Sequence, residues 1–143
     1  MIEHDVSRRG FLHGAMSLAS VAALAEAVVA QTNTSGTGIP TRLLGKTGQR
    51  VSVLGLGGAH AGGIKDDEAA IRLMHAAIDE GMTFFDNAWE YNGARSEDLM
   101  GKALAMDGKR KQVFLMTKFC EPTFEGSMKN LEDSLSKLRT DYL

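Results

Sequence analysis

Beyond about residue 40, short apolar runs alternate three times with longer stretches in which apolar residues recur every three or four positions. Residues 41–44 and 50–52 flank Gly45-Lys46-Thr47-Gly48, a pattern that predicts a hairpin closed by a glycine-bearing turn. The run 51–54 leads into a stretch holding Gly55, Gly57, Gly58, Gly62 and Gly63, expected to be a loop used for function or for tight packing. Asp66, Asp67 and Glu68 put negative charge where a helix would start. Ala70, Leu73, Met74, Ala77 and Ile78 then share one face until Gly81 stops it.

Thr83-Phe84-Phe85 predicts a second strand, ending on Asp86. Ser96 is expected to cap the next helix, with Glu97 and Asp98 in its first turn and Leu99, Ala103 and Leu104 facing inward. Residues 113–116 predict a third strand, followed by Thr117 and Lys118. Thr123 is expected to cap a third helix, in which Met128, Leu131, Leu135 and Leu138 keep helical spacing. Strand followed by helix, three times over with short links, predicts an α/β fold with a parallel sheet. A doubly wound sheet and a barrel both fit the pattern, although a complete (β/α)8 barrel takes about 250 residues and roughly 100 follow residue 40.

The first forty residues follow a different pattern. Ser7-Arg8-Arg9-Gly10-Phe11-Leu12 matches the twin-arginine (Tat) pattern and precedes an apolar, small-residue run over 14–29 broken by Glu26. That run falls short of the roughly 20 residues a spanning helix needs. Residues 1–30 are therefore expected to be a twin-arginine signal peptide, with small residues for cleavage at Val28-Val29-Ala30 or Ala25-Glu26-Ala27. An ordinary secretory signal or an amphipathic arm is the plainer alternative. The signal implies the Tat export machinery as a partner, transient membrane contact and a periplasmic destination. Residues 31–40, rich in Thr, Asn, Ser, Gly and Pro, read as a flexible linker, and 41–143 as the folded domain.

Composition narrows the functional classes. The 16 basic and 18 acidic side chains are interspersed and leave a net charge of -2, so no basic stripe invites nucleic acid. Cys120 is the only cysteine, which excludes an intramolecular disulfide, and it is expected to be a small packing residue. No histidine has a cysteine or carboxylate cluster beside it, so no metal site is expected.

In α/β folds functional groups collect where strands run out at their C-terminal ends. Asp86 and Lys118 stand at two such ends, and Tyr91 lies in the loop just after Asp86. A charge there costs desolvation unless it is paired, so Asp86 and Lys118 are expected to neutralise each other across adjacent strands. Taken singly, each residue reads as a surface ion pair or a packing tyrosine. Together they suggest more, because a lysine beside a phenol eases its proton release, and a carbonyl oxygen gaining charge as hydride arrives needs that proton. Trp89 reads either as a pocket wall or as half-buried packing.

The segment Phe85-Asp86-Asn87-Ala88-Trp89-Glu90-Tyr91-Asn92-Gly93 resembles the Asp-to-Tyr segment of the aldo-keto reductases, with the same spacing between the two catalytic positions. Ser96-Glu97-Asp98-Leu99-Met100-Gly101 resembles the helix that follows it. Phe114-Leu115-Met116-Thr117-Lys118 is similar to the strand bearing the family's lysine, and Val53-Leu54-Gly55-Leu56-Gly57-Gly58 to its first barrel strand and cofactor-side loop. Residues 134–143 resemble the approach to the fourth strand.

The resemblance implies a TIM barrel, of which this chain would form the first three or so βα units after a hairpin. It further implies an NADPH-dependent oxidoreductase that reduces a small-molecule aldehyde or ketone. Tyr91 would be the general acid, Lys118 would tune it, and Asp86 would hold the lysine and touch the nicotinamide ribose. Gly57, Gly58 and Ala59 would line the nicotinamide end. The family's catalytic histidine would follow Leu143, so the chain as given is expected to be an inactive N-terminal portion. A non-catalytic cofactor-binding or regulatory barrel subunit, or a non-functional gene fragment, is the alternative.

Overall fold

Strand parity governs this molecule, since alternate side chains of a strand face opposite sides of its sheet. The computed structural model describes residues 38–143 and the two-residue strand β1 (Asn33–Thr34). The expected twin-arginine signal, 1–30, lies outside the described residues. β1 and the first residue of β2 fall within the stretch read as a linker.

β2 (Pro40–Leu43) and β3 (Arg50–Ser52) form the expected antiparallel hairpin, with Thr41 opposite Ser52 and Leu43 opposite Arg50. Gly45 and Gly48 take positive φ in its turn, a region that costs other residues about 1 kcal/mol. β4 (Gly55–Gly57), β5 (Phe84–Asp86) and β6 (Phe114–Met116) form a parallel sheet in chain order, with Leu56, Phe85 and Leu115 in register. Each strand is followed by helix: α1 (Gly58–Gly63) and α2 (Asp67–Asp79), then α3 (Arg95–Leu104), then α4 (Phe124–Lys137).

Phe85 and Leu115 point to the helical side, where they meet Met74 and Ile78 of α2 and Leu99, Met100 and Leu104 of α3 in one core. Each such fully buried side chain contributes about 2 kcal/mol. Phe84 and Phe114, one residue out of phase, stack on the other face with ring centroids 5.8 Å apart.

Two caps follow chemistry legible in the chain. Asp66 accepts hydrogen bonds from the backbone N–H groups of Glu68 and Ala69, and Thr123 accepts one from Gly126. Gly81, in the left-handed region, ends α2 as expected.

Several expectations need correcting. The glycine-rich stretch is not a loop but strand β4 and helix α1. Glycine is needed there because backbones approach closely: a Cβ on Gly55 would lie 2.8 Å from the Phe84 ring, and one on Gly62 2.0 Å from Ser96 Oγ. Val53 and Leu54, read as part of the first barrel strand, are exposed instead. Ser96 does not cap α3. Asn92, Gly93 and Ala94 are all left-handed and steer the chain so that Ser96 already lies inside the helix, fully buried. Leu73 and Met128 are exposed, because each lies at the margin of its helix's apolar face. Cys120 is exposed rather than packed.

Candidate functional site

Parity carries two charges to one place. Asp86 shares a face with Phe84, and Lys118 continues the alternation of Phe114 and Met116, so both side chains leave the sheet away from the helices. The ladder runs on past the strand ends, with Asn87 N–H donating to the Met116 carbonyl at 2.9 Å and Trp89 N–H to the Lys118 carbonyl at 2.8 Å. Lys118 Nζ donates to Asp86 Oδ1 and, at 2.8 Å, to the Asn87 carbonyl. It also lies 5.2 Å from the centroid of the Tyr91 ring, within range of a cation–π attraction.

The three residues singled out from the sequence thus converge. The ion pair is open to solvent, its side chains 43% and 38% exposed for Lys118 and Asp86, so it adds under about 1 kcal/mol to stability. Its value is in holding an ammonium at a fixed place.

The glycines divide. Gly57, opposite Asp86 in the register, is exposed, and a Cβ there would meet nothing within 4 Å. Gly58 is buried, and its Cβ would lie 2.5 Å from Asn87 Oδ1. Ala59 is half-buried, and its carbonyl accepts from Asn92 Nδ2 at 2.8 Å.

Beneath the rim lies a polar layer that helical spacing did not reveal. Asn87 is fully buried, its amide donating to the Ser96 carbonyl at 3.1 Å while its oxygen accepts from Ala88 N–H at 2.9 Å. Glu97, expected in the first turn of α3, is also fully buried; it accepts the Thr117 hydroxyl at 2.6 Å, and its Oε2 has no partner. Parity supplied the one available signal: Thr117 is out of phase with Lys118 and so faces the helices.

A second cluster flanks the rim. The Trp89 indole N–H donates to Asp133 Oδ2 of α4 at 2.6 Å, and Lys137 Nζ pairs with the same oxygen while lying 5.3 Å from the Trp89 ring centroid. The hydrogen bond from Lys137, and then that from Trp89, hold the Asp133 carboxyl below its usual range.

A cavity of about 450 Å³ lies elsewhere, between the hairpin and the N-terminal ends of β5 and β6, lined by Arg50, Thr83, Arg110, Val113 and Tyr142. Chemistry rather than volume therefore marks the opposite rim. Among the described residues, no three His, Cys, Asp or Glu side chains are placed to hold a metal, and no helix is long and apolar enough to cross a membrane.

Residues 53–143 match the model of the aldo/keto reductase family. The chain belongs to that family. Two curated relatives from Bacillus subtilis (strain 168) are similar: the uncharacterized oxidoreductase YrpG, 36% identical over 119 residues, and the aldo-keto reductase YhdN, 35% identical over 111 residues. These alignments cover 70% and 68% of this chain but 36% and 34% of the relatives, so the chain spans about a third of their length.

Solved aldo-keto reductases share the fold of this portion. The holo form of AKR11C1 from Bacillus halodurans superposes with a TM-score of 0.64 at 31% identity, over 73% of this chain and 38% of that one. The thermostable aldo-keto reductase Tm1743, solved with the inhibitor epalrestat, gives 0.66 at 34% identity, over 72% and 40%. The curated relatives are named as an oxidoreductase and an aldo-keto reductase, and the fold described here is that of the family. It also fits three βα units as part of a barrel, although the described residues form an open sheet.

Proposed function

We propose that this chain carries the proton-donating rim of an NADPH-dependent reductase of aldehydes or ketones. One observation carries the reading: Lys118 is tied to both Asp86 and the Asn87 carbonyl while lying against Tyr91. In this reading Tyr91 is the general acid, Lys118 stabilises the phenolate left behind, and Asp86 holds Lys118. A bound NADPH would supply the hydride.

The open space at Gly57, in register with Asp86, suits the approach of a flat nicotinamide ring. Gly57, Gly58, Ala59 and Asp86 would hold that end of the cofactor, Gly58 chiefly by letting Asn87 pack beneath it. The preference for NADPH over NADH, and the carbonyl substrate, rest on the family resemblance.

The decisive experiment is Tyr91→Phe in a protein completed to the length of its relatives, assayed for NADPH oxidation with short aldehydes and for NADPH binding by fluorescence titration. Turnover is expected to be abolished with affinity kept within about twofold. Unchanged turnover would remove Tyr91 from its role.

We also infer export to the periplasm through the Tat machinery, with membrane contact only in transit, from Arg8, Arg9 and the apolar run behind them. Replacing both arginines with lysine is expected to trap the protein in the cytoplasm, as cell fractionation would show; unaltered export contradicts the inference.

A further inference from the structure

The turn that delivers Tyr91 is held on one side by the sheet, through Asn87 N–H and Trp89 N–H to the carbonyls of Met116 and Lys118. On the other side Asn92 Nδ2 ties it to the Ala59 carbonyl of α1, and Trp89 is the side chain that reaches α4. We propose that Asp133 of α4 is a positioning residue for Tyr91, acting through the indole of Trp89; this rests on the function proposed above.

Trp89 stands two residues before Tyr91, and the Tyr91 N–H donates to the Ala88 carbonyl at 3.1 Å. A rotation of the indole therefore displaces the phenol's own turn. Asp133 Oδ2 accepts the indole N–H at 2.6 Å, and Lys137, one helical turn on, pairs with the same oxygen and lies near the ring. An ionised acceptor shortens and strengthens such a bond, and Lys137 keeps the carboxylate both ionised and aimed. Forty-four positions separate donor from acceptor, so α4 must be docked before the brace can form. The side-chain hydrogen bonds of Asp133 go to Trp89 and Lys137, so its influence at the rim passes through Trp89.

Trp89 is the only tryptophan, so its fluorescence reports the brace without any need for turnover. In the full chain, Asp133→Ala is expected to shift Trp89 emission to the red and to raise its acrylamide quenching about twofold, while helical circular dichroism is kept; Asp133→Asn, which retains an acceptor, should restore most of both. In the completed protein, Asp133→Ala is expected to lower kcat about tenfold with NADPH affinity within twofold, as a displaced acid would. Trp89→Phe should reproduce that loss, and the double variant should add little to it.

Unchanged emission and quenching in Asp133→Ala overturn the brace, and so does altered emission with undiminished kcat. Should the wild-type protein, completed to the length of its relatives, show no turnover, the proposed function fails, and the emission and quenching results alone then decide for or against the brace.

Discussion

The two ends of the parallel sheet handle polar groups in opposite ways. At the N-terminal end Ser52, almost fully buried, accepts the N–H groups of Thr83 and Phe84 at 2.9 and 3.2 Å, while its own N–H donates to the Thr83 hydroxyl at 2.9 Å. These groups satisfy one another and seal the hairpin onto the sheet. At the C-terminal end Asp86 and Lys118 are paired but open to solvent, and Gly57 faces empty space. Sealed polar groups stabilise; open ones retain the capacity to bind and to move protons. The difference explains why the C-terminal rim is the better candidate for chemistry.

That contrast can be broken most forcefully at Ser52. Ser52→Ala strands two buried N–H groups, so a loss of roughly 3 kcal/mol in stability by urea unfolding is expected, with NADPH affinity per folded molecule unchanged. A loss under about 0.5 kcal/mol would mean that the lower end is not sealed as described.

A smaller cost, about 1.5 kcal/mol, is expected for Gly58→Ala, because its new methyl group would press on buried Asn87. Asp86→Asn should change stability by less than about 1 kcal/mol, given the exposure of the pair, yet reduce turnover at least tenfold. An unfolding change larger than the catalytic one would reverse the contrast between the two ends. Gly57→Ala sharpens the comparison with the least structural disturbance. Nothing lies within 4 Å of its Cβ and its φ is -84°, so the thermal midpoint should stay put while NADPH affinity falls. Equal affinities would remove Gly57 from the cofactor surface.

Much of this was readable in advance at particular positions. Phe84, Asp86, Phe114, Met116 and Lys118 alternate strictly, and alternation is local backbone geometry, so the meeting of Asp86 with Lys118 followed once the strands were taken as neighbours. The caps Asp66 and Thr123 were equally plain, because capping involves only the next three residues. Ser96 misled, since a serine before an apolar helix has a capping pattern wherever the chain actually turns. The burial of Glu97 was not legible, because helix periodicity reports which face is apolar, not where a carboxylate finds a hydroxyl twenty residues away.

The sequence by itself determined the order of strands and helices, the hairpin, the parity that lifts Asp86 and Lys118 to one face, and the family. Each depends on near neighbours or on a pattern repeated along the chain. Tertiary structure alone decided that Val53 and Leu54 lie outside the sheet, that Gly58 and Gly62 serve packing, that Asn87 and Glu97 are buried, and that Trp89 reaches Asp133. These depend on the distance between segments far apart in the chain, which is set only when the helices close over the sheet.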